Sequence, residues 1–376
     1  MATCAVFLGA RCQPELPEWI AAGSHPGVEY LSLRQDFGAA LVSFDDVQRA
    51  RGTAVRTLAR WGGPYWGMAA LARFPQPPRT QCEQILATGE DVGVRAALLQ
   101  RLTGGAASVS ILTHGSYLGL RKGALALRLI RTHSQVRFLC LSETLRLCLI
   151  ERHGIPAERV HNVGYGVDTR FFRPDPAAPP PLPRQIAAAG MANRDYKTLV
   201  AATARKNVSV KIAADSAWFQ TKLDIAEQVL PSNVEVRSYG GYPGLRRLYR
   251  DSACVVVPLY PAVHACGYAV IAEAMAMGKP VITTRIAGHS DFVVEGETGF
   301  YVPPGDAEAL GERLQYLLDR PEVARAMGQQ ARRRIEERFS LEAYTARIAA
   351  AAGLPFPRPR LGDAANDKWT LAAAVD

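Results

Sequence analysis

The chain has 376 residues, 48% of them hydrophobic and 21% charged. That is length enough for two domains with cores of their own, and a composition that excludes a disulfide-stapled miniprotein, a fibre and a long disordered chain. Lysine and arginine total 44 against 35 acidic residues, a net charge of +9, which favours an anionic partner: a phosphate-bearing ligand, an acidic membrane surface or nucleic acid.

Seven cysteines, at positions 4, 12, 82, 140, 148, 254 and 266, are scattered and mostly sit in apolar runs. This spacing suits neither a disulfide ladder nor a CxxC zinc site, and fits thiols in a reducing cytosol. Apolar runs fall short of the roughly 18 to 20 residues of a membrane span, and Met1 to Ala10 lacks the basic start of a secretory signal. The expectation is a cytoplasmic protein.

In chain order, β-rich runs at Cys4 to Leu8, Val28 to Ser32, Glu83 to Ala87, Ser108 to Thr113, Val136 to Leu141 and Val160 to Val163 predict strands separated by helical or mixed segments. The stretch RPDPAAPPPLP, 173–183, can hold neither helix nor paired strand, because proline removes backbone donors and fixes its own dihedral. Strands are predicted again at Gln185 to Ala189, Val208 to Ala213, Val234 to Ser238, Cys254 to Pro258, Val281 to Thr284 and Gly299 to Val302, and Ala307 to Ala351 reads as mostly helical. Strands alternating with helices predict parallel sheets of βαβ units, with ligands at the carboxyl ends of the strands. The expected division is an N-terminal domain over 1–175, a proline-rich linker over 176–183, a second domain over 184–350 and a tail over 351–376 packing back on the first domain.

The most informative stretch is GYAVIAEAMAMGKPVITT, 267–284: a buried helix ending near Gly278 and running into a buried strand. Glu273 is the only charge in that helix, and a buried carboxylate without a partner costs several kcal/mol. Either a sugar hydroxyl pair or a structural arginine or lysine would satisfy it. The helix begins at Cys266-Gly267-Tyr268, where free amides and the positive dipole end can receive a phosphate and glycine permits close approach.

This stretch, with the Gly288 turn, the segment EGETGFYVPPGD and the helix AEALGERLQYLLD, resembles the donor-binding half of family 4 glycosyltransferases of the GT-B fold. VHNVGYGVDTRFFRPD, 160–175, resembles the strand and turn that lead to their interdomain linker, and AAGMANRDYKTLVAA, 188–202, the first strand, loop and helix of their C-terminal domain. The resemblance covers roughly 136–350 and is thin before about residue 80. It implies an α/β GT-B architecture: two Rossmann-like doubly wound domains facing across a cleft.

By this resemblance the protein is a retaining, metal-independent glycosyltransferase. It moves a hexose-type sugar from a nucleotide diphosphate sugar to an acceptor hydroxyl on a lipid-linked glycan, a lipid or a small natural product, with the nucleotide sugar as co-substrate and no cofactor. The alternatives are a nucleotide-sugar epimerase or hydrolase on the same fold, and a non-catalytic nucleotide-sugar-binding protein. Arg194 and Lys197 would neutralise the diphosphate; the cation aimed at the leaving group stabilises the transition state. Glu273 would grip the ribose hydroxyls, the first glutamate of the family's pair falls on Ala265, and such relatives form a subgroup. His114, at the end of the strand SVSILT, would touch the donor sugar. Gly9 would belong to the loop admitting acceptor and diphosphate, and Tyr239 and Gly240 would lie where the base is cradled.

Two features carry readings of their own. Glu90 and Asp91 follow a strand and could meet an acceptor, while Thr88 and Asp91 have the spacing of a helix capping box. Phe44 to Trp66 predicts a helix with Arg49, Arg56 and Arg60 on one face and aromatics after it, which suits a peripheral contact with an anionic membrane; a solvated face over the core is the plain reading, as for Arg332 to Arg334. Nucleic acid is not an expected partner, because no RNA or DNA module accompanies the charges.

Overall fold

The computed structural model describes residues 4–74, 82–204, 206–214, 224–225 and 229–354. The first half runs β1 (Cys4–Phe7), α1 (Leu16–Ala21), α2 (Glu29–Phe37), β2 (Ala40–Val42), α3 (Phe44–Arg49), α4 (Thr53–Gly62), α5 (Pro64–Arg73), β3 (Gln84–Ala87), α6 (Glu90–Thr103), β4 (Ser108–Thr113), α7 (Arg121–Ile130), β5 (Val136–Cys140), α8 (Glu143–Glu151) and β6 (Val160–Asn162). The second runs β7 (Gln185–Ala189), α9 (Tyr196–Thr203), β8 (Ser209–Ala213), β9 (Val234–Arg237), α10 (Gly241–Asp251), β10 (Cys254–Val257), α11 (Tyr268–Ala276), β11 (Val281–Thr284), β12 (Gly299–Val302), α12 (Ala307–Leu318), α13 (Pro321–Arg338) and α14 (Leu341–Ala352).

Among the described residues the strands form two six-stranded sheets, ordered β2-β1-β3-β4-β5-β6 and β12-β11-β10-β7-β8-β9, every pairing parallel. Parallel strands covered on both faces read as continuous apolar runs, and CVVV in β10 and CAVF in β1 are buried throughout. The order reverses between β1 and β3 in the first sheet and between β7 and β10 in the second, which puts a ligand crevice beyond each of those strand pairs.

The expected strand at Val28 to Ser32 is instead the start of α2. Its β-branched and aromatic residues suggested a strand, but Leu33 faces the core at helical register and Gly38 caps the end in the left-handed region at φ 66°. The edge strand β2 follows it, too short to announce itself. The single basic helix expected from Phe44 to Trp66 is three helices, broken at Ala50 to Gly52 and at Gly63-Pro64, so Arg49 sits on a different helix from Arg56 and Arg60.

The chain crosses between the sheets twice. Residues 173–183 are irregular, and α14 returns to pack on α2 and β5. The crossings meet: Val167 N–H donates to Phe339 O at 3.0 Å and Leu341 N–H to Val167 O at 2.9 Å. Gln84 then donates to Gly353 O at 2.8 Å; the expected tail beyond Leu354 lies outside the described residues. The arginine run also departs from a solvated face. Arg332 donates to the carbonyls of Phe172, Ala276 and Thr169, and Arg334 to those of Phe292 and Asp291. A guanidinium's five donors suit it to clamping exposed carbonyls of a linker and a loop; Arg333 between them stays exposed.

Candidate active site

Beyond the reversal in the second sheet, two loops leave neighbouring strands. The first, after β7, turns through Gly190 at φ 92° and Asn193 at φ 56°. Arg194 stands inside this loop, 8% exposed, its Nε donating to Ala189 O and Nη1 to Ala192 O, each at 2.8 Å. A Cβ on Gly190 would lie 2.5 Å from Arg194 Nη2, so the loop requires glycine there for both conformation and space. Asp195 caps α9 by accepting from Thr198 N–H at 3.1 Å.

The second loop, after β10, ends at Gly267, whose φ of 74° and close approach to Val257 again require glycine. Gly267 is the N-cap of α11 and supplies no side-chain cap, so the amides of that helix's first turn keep their donor capacity at the positive end of the dipole. One turn on, Glu273 is 7% exposed; Tyr249 of α10 donates to its Oε2 at 3.0 Å. Its Oε1 makes no hydrogen bond among the described residues. Burial pushes this carboxyl up to about 8, against the lowering influence of the Tyr249 hydroxyl and of Arg194. Cys266, just before, is buried and its thiol is raised by burial.

Across the cleft, His114 follows β4. Its Nε2 stands 3.1 Å from Thr88 O, and since a carbonyl only accepts, Nε2 carries a hydrogen and Nδ1 is the acceptor of the neutral ring. His114 O accepts from Ala265 N–H at 2.7 Å, joining the two halves where the family's first glutamate would stand. Gly9 lies at the reversal of the first sheet, its N–H donating to Thr88 Oγ1 at 3.2 Å.

Other expected residues are placed differently. Glu90 is buried and accepts from Gly115 N–H at 2.6 Å, Ser116 N–H at 3.1 Å and Ser116 Oγ at 3.1 Å, so its carboxylate fixes the loop after β4. Asp91 is half exposed and pairs with Arg95 at 3.5 Å. The Thr88–Asp91 capping box does not form: Gly89 is the N-cap of α6 and Thr88 Oγ1 is engaged with Gly9 and Phe7. The hydroxyl of Tyr268 is buried against Ser142 Oγ and the carbonyls of Gly288 and His289, so what Tyr268 offers at the helix start is its amide. Lys197 is exposed on the first turn of α9. Tyr239 and Gly240 lie beyond β9, two strands from β7; Arg237 covers the Tyr239 ring at 4.6 Å, and Tyr239 lines a cavity of about 340 Å³ with Lys211 and Arg247.

Several participants escaped the sequence reading. Tyr249 lies in the basic run RRLYRD, and only its deep burial marks it as Glu273's partner. Arg95 donates to Tyr117 Oη at 2.8 Å and faces the Tyr65 ring at 5.4 Å, and that ring lies 3.9 Å from a Cβ position on Gly9 at the mouth of the first crevice. Glu29 was hidden in a segment read as strand; burial raises its carboxyl while His114 lowers it.

Residues 193–334 match the family model described as glycosyl transferases group 1. The chain carries a glycosyl transferases group 1 domain. Arg194, Gly267 and Glu273 all fall within it. The chain is 28% identical over 203 residues to the putative glycosyltransferase EpsD of Bacillus subtilis, covering 49% of this chain and 51% of that one. It is 30% identical over 207 residues to the MMP alpha-(1->4)-mannosyltransferase of Mycolicibacterium hassiacum, covering 52% and 48%. Thus the chain spans about half the length of these curated relatives, and 18% of the Staphylococcus aureus glycosyltransferase CapM, to which it is 43% identical over 68 residues. Among solved structures, Anabaena Alr3699/HepE in complex with UDP and glucose superposes with a TM-score of 0.67 at 17% identity, covering 94% of this chain and 100% of that one. The group 1 domain is therefore the second half of a GT-B fold.

Proposed function

We propose that the protein is a glycosyltransferase that moves a hexose-type sugar from a nucleotide diphosphate sugar to an acceptor hydroxyl, retaining anomeric configuration and using no metal. The observation that carries this reading is the convergence, in one crevice of the group 1 domain, of Arg194, the uncapped start of α11 and the half-partnered carboxylate of Glu273. HepE, whose fold the chain shares, holds UDP and glucose, which favours a uridine donor. In this pose the ribose hydroxyls donate to Glu273 Oε1, the diphosphate lies on the α11 amides with Arg194 beside it, and the base lies towards Tyr239 and Gly240. His114 Nδ1 accepts from a sugar hydroxyl across the cleft.

The acceptor oxygen then bonds to the anomeric carbon on the face from which the diphosphate leaves. The bond from that carbon to the phosphate oxygen breaks, and the acceptor proton passes to the departing phosphate. No protein nucleophile is needed; Arg194 and the α11 amides stabilise the charge that grows on the leaving group. Lys197 is close enough in sequence to add to it, and Asp91, beside Arg95 at the mouth of the first crevice, is the remaining acceptor-side carboxylate. The acceptor itself is a hydroxyl-bearing lipid, lipid-linked glycan or small natural product.

The test is thermal stabilisation by UDP, GDP, TDP and ADP and their sugars, since a ligand bound only by the folded state raises Tm. A shift with one base that Glu273→Ala and Arg194→Ala abolish, followed by nucleotide release that needs an added acceptor, is expected. No shift with any nucleotide at millimolar concentration defeats the reading.

A further inference from the structure

The sequence contains two long stretches without a single acidic residue, 47–82 and 92–142. They supply α4, α5, α7 and most of α6, which follow one another in contact: α4 packs on α5, α5 on α6 and α6 on α7, with α6 seated on β3 and β4. The exposed faces of α4 and α7 are apolar as well as basic. On α7, Gly123, Leu127 and Ile130 turn inward, and the opposite face carries Leu125 (60% exposed) and Leu129 (49%) flanked by Arg121, Lys122 and Arg128, all exposed. Leu120, just before it, is 58% exposed, and Trp61 at the end of α4 is 82% exposed beside Arg56 and Arg60. A leucine pair four residues apart at the centre of a solvent face has no role in a monomer's core.

We propose that the exposed faces of α4 and α7 are a docking surface for an anionic lipid bilayer, with α7 lying in the headgroup plane and Trp61 of α4 as a second point of entry. The charge decides the occupant. Leucines ringed by arginine and lysine, with the two acids of these helices withdrawn into the buried contacts of Glu90 and the pairing of Asp91 with Arg95, match an acidic membrane. Arg95 ties these helices to the crevice through Tyr117 and stands against Tyr65, so a docked protein meets the bilayer next to the mouth of its first crevice. That last consequence rests on the proposed transfer reaction; the docking itself does not.

The experiment is vesicle co-sedimentation of the full chain, which reads binding and not turnover, with phosphatidylcholine alone and with 30% phosphatidylglycerol added. Binding is expected only to the anionic vesicles, falling as salt is raised from 50 to 500 mM. Leu125→Ser with Leu129→Ser, and separately Arg121→Gln with Lys122→Gln, should each weaken partition by roughly tenfold or more. The Trp61→Phe variant should lose a vesicle-induced blue shift of fluorescence. Circular dichroism and melting curves establish that each variant is folded. Absence of binding to anionic vesicles by the wild type, equal binding to neutral ones, or folded variants that bind as the wild type does would each overturn the proposal. So would a leucine variant that turns a dimer into a monomer in sedimentation while the wild type ignores vesicles, since the face would then belong to a second copy.

Discussion

Tyr249 on α10 donates its hydroxyl hydrogen to Oε2 of Glu273 on α11 at 3.0 Å, and both side chains are buried. The pair holds the carboxylate in place while leaving Oε1 for a ligand. Burial keeps the carboxyl at about 8, so near neutral pH it stays largely protonated until something donates to it.

Nucleotide affinity should therefore rise with pH and level off above about 8. Ribose hydroxyls favour the charged form, so binding lowers the carboxyl's pKa and releases a proton below that point. Titration calorimetry at pH 6, 7, 8 and 9 checks this. Glu273→Gln, which shares the diphosphate's own titration, should lose the additional slope; equal slopes would refute it.

The same group makes a stability prediction of known sign. Its folded pKa of about 8 lies above the unfolded value near 4.5. Its contribution is fully present below about 4.5 and is lost as pH rises to about 8. The Tm of the wild type relative to Glu273→Gln should thus fall across that window and be flat above it. Tyr249→Phe removes the donor to a buried carboxylate, pushes its pKa higher still and should cost about 1 to 3 kcal/mol in urea melts.

Arg194 holds the loop after β7 through two carbonyls, and in the proposed reaction it also faces the leaving group. Arg194→Ala should lose about 1 to 3 kcal/mol of stability and roughly a hundredfold in kcat. Lys197→Ala, on an exposed site, should leave the melting curve within about 0.5 kcal/mol of the wild type. Comparing melts and turnover in the two variants separates loop support from surface charge.

Glu90 and Asp91 are neighbours with opposite expected sensitivities. Glu90→Ala strands the amides of Gly115 and Ser116 and should cost about 2 to 4 kcal/mol. Asp91→Asn loses an exposed i,i+4 pair and should cost no more than about 0.5 kcal/mol. Denaturant midpoints of the two variants decide the matter.

Gly115 should tolerate no side chain. At φ 87° a Cβ would lie 2.8 Å from Leu145 and 2.9 Å from the backbone of His264 in the opposite half. Gly115→Ala should lower Tm by an amount matching about 1 to 3 kcal/mol, and a calorimetric trace that splits into two transitions would locate the damage at the domain contact.

What the sequence made legible follows from the range of the forces involved. The α11 helix, its glycine start and its single buried carboxylate are local patterns, and GYAVIAEAMAMG displays them in one line. Glu90 is not legible in that way: its partners lie 25 and 26 residues on, so its neighbourhood offered only a first helical turn with two acids. Arg332 and Arg334 misled for the same reason, because a run of arginines looks solvated until the carbonyls it clamps, up to 163 residues away, are folded against it. The α2 segment failed on composition: Val28, Tyr30 and Leu31 favour a strand in isolation, but Val28 alone keeps an extended backbone, as the N-cap, while Tyr30 and Leu31 are in the helix that packs beneath α14.

The meeting of the two crossings at Val167 constrains how the cleft can open. Had the halves been tied by the proline stretch alone, one could swivel freely against the other. With Phe339 to Leu341 hydrogen-bonded alongside Val167, the two crossings are pinned to each other at one edge, and opening about that edge must also part His114 O from Ala265 N–H. A ligand arriving between the sheets therefore meets a door that swings about a fixed edge, and strengthening or cutting that edge would alter every ligand's entry alike, whichever side chains it touches.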